Sequence, residues 1–294
     1  VFLFSEAILS FSEGKLYGEN IVYTSSTPYQ RIVLTHNKSD YKLYLNNNLQ
    51  FSSADEYRYH EALVHPVMAA AKKVENVLVL GGGDGLAVRE ILKYKDVKNI
   101  TLVDLDEGMT KLFKTNKILT GFNQHSLTDA KVKVFNQDAY IWTKNCKEKF
   151  DVAIIDFPDP SNYSLGKLYS LNFYKSLHDI LSKDAVVVVQ TTSPYFAPKS
   201  FWCINKTVKE IFPQVDAYHA YVPSFGEWGY TIAANSFATS FDKVNRKVNG
   251  LRFYNYQFHK LNYFSKDMIA NSVEINRLDN QILVRYFDEE WGKL

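Results

Sequence analysis

Val77-Leu78-Val79-Leu80-Gly81-Gly82-Gly83-Asp84-Gly85 opens on four consecutive apolar residues and stops in a glycine-rich loop. A continuous apolar run of this kind suits a strand buried on both faces, as in the middle of a parallel sheet. A helical stretch over 87–94 follows directly. The glycines therefore form a strand-to-helix turn, where the backbone bends sharply and can approach a ligand closely.

The same type of run recurs outward from this point, at 100–103, 132–135, 152–155 and 185–190, with helical stretches between, for example 171–181. This alternation predicts a parallel sheet with helices on both faces. Residues 215–222 and 229–234 have only a Pro/Gly loop between them, too short for a crossover helix, so they are expected to pair as an antiparallel hairpin at the end of the sheet. The predicted fold is α/β, a Rossmann-like, methyltransferase-type sheet of about seven strands. Upstream, short β-branched or aromatic runs at 20–24, 31–35 and 41–45 are separated by turn residues. Asn46-Asn47-Asn48 reads as a tight hairpin, since Asn tolerates positive φ. The expected organisation is a small N-terminal antiparallel β domain over 1–52 and a catalytic domain over 53–294. A helix is predicted over 54–72, with Asp55 and Glu56 in its first turn and Pro66 bending or breaking it.

The composition, 46% hydrophobic with 20 Tyr and 20 Phe, is enough to fill a sizeable core. A net charge of +2 gives no reason to expect a nucleic acid or a membrane surface as partner. Cys146 and Cys203 lack metal-ligand spacing and suit a reducing compartment, so a cytoplasmic location is expected. His36, His65, His125, His178 and His219 do not cluster as a metal site would, and neither a metal nor a prosthetic group is expected. No apolar run approaches the ~20 residues of a membrane span, and Val1-Phe2-Leu3-Phe4 is too short for a signal core. The first residue is not Met, which leaves open whether residues precede Val1 and attach the protein to a membrane.

The chemistry gathers at the strand ends. Asp104 closes the run 100–103, about twenty residues beyond the glycine loop, where a carboxylate commonly accepts from ribose hydroxyls. Loop and acid together indicate a nucleoside. Asp84 would repel a pyrophosphate, which argues against a dinucleotide and for a ligand that is cationic near the loop. S-adenosylmethionine or its decarboxylated relative meets that requirement. Asp138, after the third run, has two open readings, an acceptor for an adenine amine or the N-cap of the helix around Tyr140. The run 152–155 empties into Asp156-Phe157-Pro158-Asp159-Pro160, whose prolines hold the loop extended so that both acids project from it. Such a pair suits a cationic substrate, and one member can take a proton from an ammonium. Asp159 as a mere turn cap, and Tyr59 and His60 as core residues of their helix, are the structural alternatives.

The chain resembles the spermidine synthases and their aminopropyltransferase relatives over residues 20–235. The matching stretches are Tyr29-Gln30-Arg31-Ile32, Leu49-Gln50-Phe51, Asp55-Glu56-Tyr57-Arg58-Tyr59-His60-Glu61, the glycine loop, Asp104, Asp138-Ala139, Asp156 through Pro160, and Gly226-Glu227-Trp228-Gly229-Tyr230. The resemblance implies transfer of an aminopropyl group from decarboxylated S-adenosylmethionine, as co-substrate, to a polyamine acceptor, releasing methylthioadenosine. By the same resemblance, Asp156 matches the general base with Tyr59 beside it, and Asp159 the acid that holds the acceptor amine. Gln30, Gln50, His60, Gly81, Gly83, Asp84, Asp104, Asp138 and Ala139 match donor-binding positions, and a homodimer is implied. The segment 161–169 and the hairpin Val222-Pro223-Ser224-Phe225 depart from typical spermidine synthases, the latter being similar to plant thermospermine synthases. Putrescine, spermidine and an unusual diamine thus stay open as acceptors. Glu227 is open between a distal anchor for a longer polyamine and an exposed hairpin acid. The stretch 253–264 is expected to serve packing or a subunit contact. The alternatives in function are an S-adenosylmethionine-dependent methyltransferase of the same fold and a non-catalytic polyamine- or nucleoside-binding protein.

Overall fold

A computed structural model describes Tyr17 and residues 19–292; the opening residues 1–4, read above for a signal core, lie outside them. The chain divides into two compact units, Val1–Glu56 and Tyr57–Leu294.

In the first unit, β1 (Asn20–Ser26), β2 (Arg31–Asn37), β3 (Asp40–Leu45) and β4 (Asn48–Ser52) form an antiparallel sheet in the order β1-β2-β3-β4. Leu45 pairs with Asn48 across a two-residue loop in which Asn46 and Asn47 have φ of 49° and 70°. Positive φ at both central positions matches the right-handed twist of the flanking strands, and the asparagines supply it as expected.

The second unit is built on a seven-stranded sheet in the order β10-β11-β9-β8-β5-β6-β7. Its strands are β5 (Asn76–Gly81), β6 (Asn99–Asp104), β7 (Val132–Asn136), β8 (Phe150–Asp156), β9 (Leu181–Gln190), β10 (Gln214–Val222) and β11 (Gly226–Ala234). Strands β5 to β9 are parallel, while β11 runs antiparallel to β9 and β10 antiparallel to β11. From β5 the chain winds outward through β6 and β7, then returns to build β8 and β9 on the other side. That reversal is a topological switch point, where open α/β sheets place their ligands beyond the carboxyl ends of the strands.

Alternation along the strands fills both faces. Leu78, Leu80, Ala153, Ile155, Val187 and Val189 share one core cluster with residues of the helices Ala139–Asn145, Leu171–Asp179, Pro198–Lys209 and Ile282–Trp291. Val77, Val79, Ile154 and Val188 are equally buried between them in sequence. Fully apolar strands are what a sheet covered on both sides needs.

Helix α1 (Glu56–Ala70) continues through Pro66, so the chain does not break there. The amide that proline lacks would have bonded the carbonyl of Ala62, and the buried Tyr218 hydroxyl donates to that carbonyl instead, at 2.8 Å. With its orphaned acceptor satisfied, the helix can continue. Beyond its end, Asn245 and Arg246 donate to the carbonyls of Ala69, Ala70, Met68, Ala71 and Lys72. A guanidinium there also complements the negative end of the helix dipole. The stretch 253–264 packs within the chain, with Phe258 edge-on to Tyr218 and Phe264 against Trp202.

Candidate active site

The glycine loop sits at the switch point. Gly81 ends β5 opposite Asp156 of β8, with φ of +80°. A Cβ at Gly81 would lie 2.2 Å from the Asp156 carbonyl oxygen, so this corner admits only glycine. The Gly83 amide donates to Asp104 Oδ2 at 3.0 Å, and a Cβ there would meet that carboxylate at 2.7 Å. Asp104 Oδ1 accepts from the Asp106 amide at 2.9 Å, and the acid at the end of β6 is therefore held against the loop by two backbone donors. Asp84 Oδ1 accepts from the Leu86 amide at 2.8 Å, opening helix α2 (Leu86–Leu92), and the Asp84 carbonyl accepts from Asn123 Nδ2 at 2.8 Å.

Tyr59, in the first turn of α1, donates its hydroxyl to Asp156 Oδ1 at 2.5 Å. Its own carbonyl accepts from the Tyr230 hydroxyl at 3.2 Å, and its ring lies 5.7 Å from that of Tyr230, 6.2 Å from Phe225 and 6.5 Å from Trp228. Burial, reinforced by the charge of Asp156, pushes the Tyr59 phenol well above its usual range. Tyr59 therefore keeps its proton and acts as a donor that orients the carboxylate rather than as a base. Asp156 Oδ2 has no hydrogen bond among the described residues and points to the side of Gly82, whose Cβ position would be 3.1 Å from it. Three residues on, Asp159 accepts from Gln190 Nε2 at 3.3 Å and from Thr192 Oγ1 at 3.4 Å.

Three of these acids are raised alike. Burial pushes Asp104, Asp156 and Asp159 each up to about 6, with Asp84 adding like-charge repulsion at Asp104 and Asp156, and His60 opposing it at Asp156. Their hydrogen-bond partners among the described residues are neutral donors, so a cation entering the site would satisfy a charge the protein itself leaves costly. A carboxyl raised in the folded state stabilises it fully below the unfolded pKa of 3.8, and that contribution is lost as pH rises through about 6. The ligand-free protein is therefore expected to lose thermal stability as pH rises from about 4 to about 6. Asp159→Asn should flatten that slope and a bound diamine should oppose it; a melting temperature independent of pH over this window in the wild type would contradict the electrostatic picture.

Asp138 caps helix Ala139–Asn145, accepting at Oδ1 from the Tyr140 and Ile141 amides at 2.8 and 3.4 Å, while Oδ2 accepts from Lys167 Nζ at 2.7 Å. The capping reading is thus realised, and Ala139 is buried behind it. Gln30 lies in the turn between β1 and β2, and Gln50 in β4 donates to the Asn48 carbonyl; both belong to the first unit. Glu227 lies on the opposite face of β11 from Trp228 and meets His219 Nδ1 at 2.8 Å, with His219 Nε2 against the Tyr263 carbonyl at 2.7 Å. Among the described residues no cluster of His, Cys, Asp and Glu could hold a metal ion, and no helix is long and apolar enough to cross a membrane.

Sequence reasoning missed two groups. Glu61, only 1% exposed, accepts from the amides of Arg252, Phe253 and Tyr254 at 2.8, 2.8 and 2.9 Å. An acid placed directly before Ala62-Leu63-Val64 was the available signal, since an unpartnered carboxylate does not survive in such a setting. Gln190 was visible as the polar end of an apolar strand, the same rule that selects Asp104 and Asp156.

The spermine/spermidine synthase domain family matches residues 56–245. The chain is 50% identical over 291 residues to polyamine aminopropyltransferase 2 of Ralstonia nicotianae, covering 99% of this chain and 57% of that protein. It is 48% identical over 297 residues to the polyamine aminopropyltransferase of Leptospira interrogans, covering 100% of this chain and 58% of the other. The chain thus spans just over half the length of these relatives. A crystal structure of spermidine synthase with the transition state analogue AdoDATO shares the fold, with a TM-score of 0.76 at 24% identity over 94% of this chain and 89% of that one. The spermidine synthase from Thermotoga maritima does so at 0.75 and 24%, over 94% of this chain and 88% of that one. A glycine loop, a strand-end acid and a tyrosine-bound aspartate on this sheet, together with these matches, make one assignment: the chain belongs to the spermine/spermidine synthase domain family.

Proposed function

We propose that the protein is a polyamine aminopropyltransferase, moving the aminopropyl group of decarboxylated S-adenosylmethionine to an amine. The observation that carries the reading is Asp156, raised to about 6 by burial and held by Tyr59, with a second acid, Asp159, three residues away. The donor's ribose falls to Asp104 and its terminal amine to Asp84, with the loop at Gly81 and Gly83 allowing close approach. His60 lines the donor's tail in this reading, Gln30 and Gln50 are assigned to the donor by resemblance alone, and Asp138 and Ala139 stand at the adenine end, where Asp138 would act from its capped position.

The acceptor binds as a cation with its far ammonium at Asp159. Asp156 takes the proton from the reacting ammonium, and the freed nitrogen attacks the methylene attached to sulfur. A C–N bond forms as the C–S bond breaks, the electron pair returns to sulfur, and neutral methylthioadenosine leaves. Holding both substrates in line supplies much of the acceleration, because a bimolecular step becomes effectively unimolecular. Asp84 also selects the donor. The α-carboxylate of ordinary S-adenosylmethionine would meet a negative charge, while the decarboxylated form presents only an ammonium.

The test is incubation with either donor and a panel of diamines and longer polyamines, followed by detection of methylthioadenosine. Release with the decarboxylated donor, at least about 100-fold faster than with the ordinary one, is expected. Methylated amine from the ordinary donor would replace the reading with methyl transfer, and tight binding without turnover would replace it with a binding protein. The reading extends to a homodimer, by likeness to the family, and to a reducing, cytoplasmic location, which the free thiols Cys146 and Cys203 suit. Light scattering of the purified chain tests the former.

A further inference from the structure

Thr192 stands just past β9 with φ of +58° and is fully buried. A β-branched residue rarely occupies the left-handed region, and one that does so is held there by its surroundings. The hold is visible. The Thr192 amide donates to Gln190 Oε1 at 3.0 Å, and the Thr192 carbonyl accepts from the Gly229 amide of β11 at 2.8 Å. Gln190, 3% exposed, is itself fully engaged: Nε2 donates to the Phe157 carbonyl at 2.6 Å and to the Tyr169 hydroxyl at 2.9 Å, the longer contact to Asp159 sharing one of these two protons, and Oε1 also accepts from Trp228 Nε1 at 3.2 Å. One carboxamide thus ties the loop bearing Asp159, the strained corner and the aromatic side of the site into a single frame. What the frame delivers is the Thr192 hydroxyl, 3.4 Å from Asp159 Oδ2, while Gln190 meets Oδ1 at 3.3 Å.

We propose that Thr192 is a positioning and specificity residue for the acceptor, its strained backbone fixing the Asp159 carboxylate so that the distance between Asp156 and Asp159 selects amines by the spacing of their nitrogens. The inference rests on the aminopropyl-transfer reading and deepens it. Pro158 and Pro160 already restrict the backbone between the two acids. A carboxylate free to rotate about its side-chain torsions would follow ammonium groups at several distances. One whose two oxygens are each met by a donor presents its remaining lone pairs in one place. Selection by nitrogen spacing then follows from geometry, without a further charged group.

The experiment compares wild type, Thr192→Val, Thr192→Gly and Thr192→Ser on diamines with three, four and five carbons and on spermidine, measuring KM and kcat for each acceptor and KM for the donor. Valine keeps the branching and removes the hydroxyl; glycine removes the hydroxyl and also relieves the backbone, so it remains informative if valine folds poorly. Both are expected to raise KM for the preferred acceptor roughly tenfold and to narrow the preference among diamines, with donor KM unchanged. Serine should restore both to within about threefold. Valine and glycine variants that retain the wild-type acceptor KM and ranking would overturn the role of Thr192 alone. A wild type that consumes none of these amines would instead defeat the transfer reading on which it rests.

Discussion

Asp156→Asn is expected to lower turnover by about 10³-fold while leaving donor affinity within about twofold. Asparagine keeps the size of the side chain and can still accept the Tyr59 hydroxyl at the Oδ1 position, so the loop and the donor pocket should be preserved. It cannot take a proton from an ammonium, and an ammonium has no lone pair with which to attack. The wild type's own pH profile should follow the same group. A base raised to about 6 is ionised above that value, so acceptor kcat/KM should fall as pH drops through about 6 and be restored above it. Tyr59→Phe should cost less, roughly tenfold, because a phenol held well above its usual range orients the carboxylate without exchanging its proton. Methylthioadenosine release and calorimetric donor binding measure the two sides. Undiminished turnover in Asp156→Asn would remove the base from Asp156.

Glu61→Ala should produce the largest loss of stability, about 3 kcal/mol or more, with a fall in melting temperature of about 10 °C. The Glu61 carboxylate is the partner of three backbone amides, from Arg252, Phe253 and Tyr254. Alanine leaves them without it, and each buried donor that water cannot reach costs its desolvation. Glu61→Gln separates charge from hydrogen bonding. Its single oxygen can serve Phe253 and Tyr254, which share Oε2, while its amide nitrogen would face the Arg252 amide. A loss of about 1–2 kcal/mol is expected for that variant. Because Glu61 lies on α1 two residues beyond Tyr59, Glu61→Ala should also lower turnover. Urea unfolding with both variants checks this, and equal stability of Glu61→Ala and wild type would show that these three hydrogen bonds contribute nothing.

The α/β architecture was readable because its signals are local. Apolar runs such as 77–80 and 152–155 become strands by their own composition, and Asn46-Asn47 becomes a hairpin by its own φ preference. Pro66 does not break its helix because the local rule is right about the missing hydrogen bond and blind to its replacement, a hydroxyl on Tyr218 that lies 156 residues beyond Ala62. Asp138 stayed ambiguous for a related reason. A carboxylate before a helix is a good cap in any context, and only Lys167, folded back from 29 residues away, shows how its second oxygen is engaged.

By itself the sequence determined where the chemistry would gather. An apolar strand that ends in a polar residue must bring that residue to the rim of the sheet, and this places Asp104, Asp156 and the glycine loop without knowledge of their neighbours. The tertiary structure alone decided how those groups are held and what state they take. Tyr59 reaches Asp156 across 97 residues, Thr192 turns toward Asp159 through a strained backbone, and burial raises three acids together. Burial and long-range hydrogen bonds belong to the packed arrangement, and local composition carries no record of which distant side chain completes it.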